Sequence, residues 1–198
     1  YISASSQSGI LSGEDNITQN GRGVIYLSAH SGNWELSAAK IVAMGHPLMV
    51  IVQPHPNPLI NNLFTNTRES LGIEVYTIGE NPAVLYRHLK LGGHIAILGD
   101  RDFTGNSRYI DILGTKVKLP VGYFRLAKMT NSVIIPSQHI NQTDGPESSL
   151  VFKPAIELCS DNRANEQLCF THIEDIISGN PENWTVFDPI LSREHRVE

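Results

Sequence analysis

In the stretch GVIYLSAHSGNWELSAAK, residues 23–40, an apolar run from Val24 to Leu27 ends at a polar corner carrying His30 and, five positions on, Glu35. An imidazole and a carboxylate are the groups that a proton-transfer site needs. A carboxylate on one ring nitrogen fixes the tautomer and stabilises the imidazolium, leaving the other nitrogen to take a proton. If the corner joins a buried strand to a helix, His30 stands at the strand's carboxyl end, where open α/β sheets hold their ligands. Glu35 then lies in the first turn or so of the helix, within reach of the ring. Ser31, Gly32 and Asn33 are equally good turn and capping residues, so the same letters also spell an ordinary strand-to-helix turn. Ser28 and Ser31 flank the histidine, but neither lies in a G-x-S-x-G elbow. The proton for His30 would more naturally come from a bound substrate hydroxyl.

Two other stretches carry chemistry. LGDRDFTGN, residues 98–106, holds Asp100 and Asp102 in a D-x-D. That triplet reads as a divalent metal site of the kind used by nucleotide-sugar glycosyltransferases, or as a loop capped by its own aspartates. In LGTKVKLPVGYFRLAKMTNSVIIPSQ, residues 113–138, Gly114 and Pro120–Gly122 frame a loop that opens a helix. Lys116 and Lys118 ahead of that helix N-terminus suit a phosphate or a pantetheine-linked anion, or belong to a solvated loop. His46, His55, His88, His94, His139, His172 and His195 show no metal-ligand spacing and read as surface or packing residues.

These residues need a scaffold, and the pattern of elements supplies one. Residues 1–22 are polar and rich in Ser, Gly and Asn, as in a mobile lead-in or the remnant of an upstream element. From residue 23 onward, short continuous apolar runs alternate with helices. The runs are Val24–Ala29, Leu48–Gln53, Ile73–Ile78, His94–Leu98 and Val133–Ser137, as expected of strands buried on both faces. The first punctuated helix has Asn57 as N-cap, Pro58 at its first position and Gly72 after its end, with Leu59, Ile60, Leu63, Phe64 and Leu71 on one stripe. Asn81, Pro82 and Gly92 repeat the device. A third, shorter helix follows Pro120, and a fourth ends at Gly179 with Pro181 beyond. The alternation predicts one α/β domain over residues 23–198, with a mostly parallel central sheet flanked by helices.

Composition narrows the function classes. The 198 residues are 40% hydrophobic, enough for one substantial core, and the formal net charge of −5 is not that of a nucleic-acid binder. No apolar run approaches the roughly 20 residues needed to span a bilayer. No signal-peptide pattern is visible, and a start at Tyr1 fits excision from a longer parent. Cys159 and Cys169 are too few for a disulfide framework and match no zinc spacing, so both read as reduced cysteines of a cytosolic protein.

The order of these pieces adds to what each says alone. HSGNWE is followed by a helix with Arg68, then LGIEVY, GGHIAILGDRDF, LGTKVKLPVGYFRLAKMTNSVIIPSQ and NPENWTVFDPIL. In this order the chain resembles the bacterial lipid A biosynthesis (lauroyl/myristoyl) acyltransferases of the lysophospholipid acyltransferase superfamily, from about Gly23 to Trp184. The resemblance implies a glycerolipid acyltransferase-like fold. It also implies transfer of a fatty acyl group from an acyl carrier protein or coenzyme A thioester to a hydroxyl of lipid A or another glycolipid. The thioester is a co-substrate, and no cofactor or metal is implied. His30 would be the general base and Glu35 its orienting partner, with Asn33 and Trp34 shaping the pocket. Arg68 matches a family arginine, and Asp100 and Asp102 match a structural or substrate-facing segment. Gly122 matches the glycine of a P-x-G block, and Pro136 the proline ending the next strand. Lys116, Lys118, Arg125 and Lys128 are the local cations for an acidic carrier. The family has further residues upstream, including a membrane-associating segment, and a terminal motif of the kind W-x-W-x-H-R-R-W. Here Trp184 and Phe187 keep aromatics, while Asp188 and Pro189 replace basic residues, which implies an acceptor less anionic than lipid A. The implied place of work is the cytoplasmic face of the bacterial inner membrane, by peripheral contact. Two other readings stand beside it: a non-catalytic lipid- or carrier-binding module of the same fold, and the D-x-D glycosyltransferase.

Overall fold

The structure is a computed structural model that describes residues 10–17, 20–112, 114–141 and 148–186. Seven strands form one sheet: β1 (Ile10–Ser12), β2 (Val24–Ser28), β3 (Leu48–Val52), β4 (Glu74–Thr77), β5 (His94–Leu98), β8 (Val133–Asn141) and β9 (Ser148–Phe152), in the order β1-β9-β8-β2-β5-β3-β4. From β8 through β4 every neighbouring pair is parallel. At the other edge β9 runs antiparallel to β8, and β1 is parallel to β9. A separate antiparallel hairpin joins β6 (Ser107–Ile112) to β7 (Thr115–Pro120). The described residues hold five α-helices: α1 (Trp34–Ala43), α2 (Pro58–Ser70), α3 (Ala83–Lys90), α4 (Gly122–Thr130) and α5 (Asn162–Gly179). The chain is a single α/β domain with a mostly parallel sheet flanked by helices.

The apolar runs become strands because both faces of the sheet are covered. Val24 and Tyr26 of β2 enter a core shared with Ala38 and Ile41 of α1, while Ile25 and Leu27 point the other way, into a core with Leu89 of α3, Phe124 of α4 and Ile173 of α5. The helix punctuation holds. Asn57 Oδ1 accepts from the Leu59 N–H, Asp161 Oδ1 from that of Arg163, and Asn81 Oδ1 from that of Ala83.

Three local expectations change. Residues 115–120, expected as a loop, form strand β7. There Val117 and Leu119 face the core, and Lys116 and Lys118 alternate outward. β8 does not end at Pro136. It leaves β2 there and continues beside β9, an edge that the polar composition of residues 142–148 conceals. Within the polar lead-in, Ile10–Ser12 form an edge strand and Glu14–Ile17 a 3-10 turn that buries Ile17. The apolar stripe of α2 faces outward: Leu59, Ile60, Leu63 and Phe64 are exposed, while Leu71, just beyond the helix, packs against the core. Phe187, Asp188, Pro189 and His195 lie outside the described residues.

Candidate active site

β2 and β5 lie side by side in parallel register, Ser28 opposite Leu98. His30 and Asp100 each follow two residues beyond that pair, so the sheet itself brings them together at its carboxyl edge. His30 Nδ1 is 2.7 Å from Asp100 Oδ1, and the His30 backbone N–H donates to Asp100 Oδ2 at 3.0 Å. The indole N–H of Trp184 donates to the same Oδ2 at 2.8 Å. Asp100 is completely buried. Burial alone would push its carboxyl pKa up. The His30 ring, the Trp184 indole and the His30 amide together outweigh that and hold it below the ordinary carboxylate range. An ionised Asp100 accepts from Nδ1–H, which leaves Nε2 as the free, basic nitrogen of the neutral ring.

The corner is clamped from behind. The segment at residues 183–185 runs beside it: Gly32 N–H donates to the Asn183 carbonyl at 3.1 Å and Thr185 N–H to the His30 carbonyl at 2.8 Å. Gly32 has φ +67°, and a Cβ there would stand 2.7 Å from the His139 carbonyl oxygen. The corner therefore needs glycine both for its left-handed backbone and for its closeness to β8.

The carboxylate partner of His30 is thus Asp100, which corrects the assignment of that role to Glu35. Glu35 instead pairs with Arg68 across α1 and α2, through Arg68 Nε to Oε2 at 3.1 Å and through Nη2 to Oε1. Both residues line the cavity described below. Asn33 caps α1. Its Oδ1 accepts from the Leu36 N–H, its backbone N–H donates to His139 Nδ1, and it is not among the cavity-lining residues. Trp34 does line the cavity, its ring meeting that of His30 edge to face at 5.2 Å. The D-x-D is split. Asp100 serves His30, whereas Asp102 accepts from the Thr104 and Gly105 amides and pairs with Lys118 Nζ at 3.6 Å. Among the described residues no group of three or more His, Cys, Asp or Glu is placed to hold a metal ion. Lys116 and Lys118 stand on β7 away from the cavity, and Gly122 lines it.

A cavity of about 1310 Å³ opens beside His30. Its apolar wall includes Val50, Ile51 and Val52 of β3, Ile97 of β5, Leu85 of α3 and Leu126 of α4. Arg68, Arg101 and Arg125 supply cations on its lining. A volume above the usual range for ligand sites, with an apolar wall and charged side chains at Glu35, Arg68, Arg101 and Arg125, suits a long aliphatic chain carrying a polar head. Sequence reasoning had no role for Arg101 and none for the Trp184 indole. Asp100 could have been found from one feature: it sits two residues past its strand, as His30 does.

Residues 3–192 match the family described as bacterial lipid A biosynthesis acyltransferase. A lipid A biosynthesis acyltransferase of Haemophilus influenzae is 27% identical over 168 residues, which is 83% of this chain and 52% of that protein. A phosphatidylinositol mannoside acyltransferase of Mycobacterium tuberculosis is 26% identical over 174 residues, 85% of this chain and 54% of that protein. One of the same name from Mycolicibacterium smegmatis is 30% identical over 129 residues, 63% of this chain and 42% of that protein. The chain spans about half the length of the curated relatives it matches. With a match covering nearly its whole length, the chain belongs to the bacterial lipid A biosynthesis acyltransferase family.

Proposed function

We propose that this chain carries the catalytic centre of an O-acyltransferase that moves a fatty acyl group from a thioester donor to a hydroxyl of a glycolipid. The observation that carries this reading is the pairing of His30 with buried Asp100 on the wall of a large, mostly apolar cavity. In the scheme, an acceptor hydroxyl gives its proton to His30 Nε2 as its oxygen attacks the thioester carbonyl carbon. The C–O bond forms, the C–S bond breaks, and the departing thiolate takes the proton from the imidazolium. Asp100 stabilises that imidazolium in between. The thioester already activates the acyl group, so no covalent enzyme intermediate and no cofactor enter the scheme.

Relatives named for lipid A and for phosphatidylinositol mannosides support a glycolipid acceptor. Acyl carrier protein and coenzyme A present the same phosphopantetheine thioester, and the cavity cations Arg101 and Arg125 suit its anionic end. We place the reaction on the cytoplasmic face of the inner membrane, by peripheral contact. No helix among the described residues is long and apolar enough to cross a membrane.

Thiol release tests the reading. The protein is incubated with acyl carrier protein and coenzyme A thioesters, with and without a bacterial lipid extract. Release should depend on the extract and fall about 10²–10⁴-fold in His30→Ala. Extract-dependent release that survives His30→Ala would contradict it.

A further inference from the structure

From Ile41 to Thr67 the sequence contains no Asp, Glu, Lys or Arg. The first part of this run lies at the end of α1, in the turn after it and in β3, where most residues are buried or half-buried. The second part is on the surface: every residue from Gln53 to Ile60 is exposed, and so are Leu63 and Phe64. A water-facing segment gains solubility from charge, and Asp, Glu, Lys and Arg make up 18% of the whole chain. The exposed part also carries two large apolar side chains almost wholly in water, Leu59 at 79% and Leu63 at 64% exposed, beside Ile60 and Phe64. Contiguous apolar surface of this kind marks a contact site.

The position of this surface selects the occupant. Pro54, His55, Pro56, Asn61 and Phe64 belong to the exposed segment and also line the cavity. The uncharged surface therefore forms one part of the rim of the cavity beside His30, whose lining elsewhere includes Glu35, Arg68, Arg101 and Arg125. A second copy of the chain seated there would cover the way in. An acidic carrier protein would seek cations, which this segment lacks. A lipid surface fits both features, because every charge carried into the headgroup–acyl boundary costs desolvation and the segment from Gln53 to Thr67 carries no Asp, Glu, Lys or Arg.

We infer that the exposed face of α2, with the Gln53–Asn57 segment before it, docks onto a lipid surface, so that a lipid passes between bilayer and cavity without crossing water. This rests on the acyltransferase reading for its purpose, but not for its test.

Leu59 and Leu63 do not line the cavity, and their exposure makes substitution harmless to the core. The paired change Leu59→Asp with Leu63→Asp is compared with wild type and with Leu91→Asp. Leu91 is an equally exposed leucine that follows α3, whose C-terminal end leads to the opposite edge of the sheet. Co-sedimentation with phosphatidylethanolamine–phosphatidylglycerol vesicles, with no donor present, is the readout. Wild type and Leu91→Asp should bind alike, and the paired variant at least about tenfold more weakly, with an unchanged urea midpoint. Transfer to detergent-dispersed acceptor should be unchanged in the paired variant. Equal vesicle binding by all three proteins would overturn the inference. So would a wild-type dimer in the absence of vesicles that the paired variant turns into monomer. Loss of vesicle binding without transfer by any form would instead tell against the acyltransferase reading alone.

Discussion

A histidine that takes a proton from a hydroxyl needs its second nitrogen held by a group that stays ionised while buried. Asp100 meets this with hydrogen bonds from the His30 ring, the His30 amide and the Trp184 indole. Trp184→Phe keeps an aromatic ring but removes one of these donors. The Asp100 pKa then rises, so the acidic limb of the kcat profile should move to higher pH, with kcat down about tenfold. A variant whose acidic limb and kcat both match wild type would deny Trp184 that positioning role. His30 was legible because histidine at the end of an apolar run is conspicuous. Its partner was not, because 70 residues separate His30 from Asp100. Glu35 lies nearest along the chain, yet the parallel register of β2 and β5 decides what is near in space. The same limit hid Trp184, which reaches Asp100 from 84 residues away.

At the scale of elements, the corner between β2 and α1 is held by the fold on both sides. His139 of β8 presses on Gly32 from one side, and residues 183–185 bond to it from the other. Gly32→Ala puts a Cβ against the His139 carbonyl and strains a left-handed backbone. It should cost about 1–3 kcal/mol for the backbone alone, read as a lower urea midpoint, with activity falling alongside. An unchanged midpoint would mean that the corner can move aside. Strands and caps here were written locally, in runs such as VIYL and in Asn57-Pro58, so they were readable. The hairpin β6–β7 was less so. Its alternation is broken by Arg108 and by Tyr109, an apolar ring on the exposed face, and its turn glycine resembles a loop; packing of Ile112, Val117 and Leu119 into the core makes it a pair of strands. The stripe on α2 is legible in the sequence, but what it meets is not. Periodicity shows that a helix has an apolar face and not what that face meets.

Across the whole molecule, the two-sided sheet buries histidines far from the reaction. Burial lowers the pKa of His94, His139 and His172 to about 4, with neighbouring cations adding to the effect. The unfolded chain takes up these protons near pH 6.5, while the folded chain refuses them until about pH 4. Stability is therefore constant above that window and falls as pH drops through it. The slope reaches on the order of 4 kcal/mol per pH unit when all three are engaged. Asp100 extends the trend into stronger acid: its pKa is lower folded than unfolded, so its contribution too is lost as the pH falls below the ordinary carboxylate range. Urea midpoints measured across the window check this, and a flat profile would mean that these rings take up protons in place. Fold class was readable at this scale because alternation of buried runs and capped helices is global. The cavity was not, because its wall draws on β3, β4, β5 and four helices, and no local stretch encodes an empty volume.

The central claim is that His30 acts with Asp100 and that Glu35 serves Arg68. Single-turnover acyl transfer by Asp100→Asn and by Glu35→Gln separates the two carboxylates most directly. The account predicts that Asp100→Asn slows the chemical step by about 10²–10⁴-fold, because the imidazolium loses its counter-charge. Glu35→Gln should leave that step within about tenfold of wild type and act mainly on substrate binding, through Arg68. A collapse of the chemical step in Glu35→Gln, with Asp100→Asn close to wild type, would contradict the account.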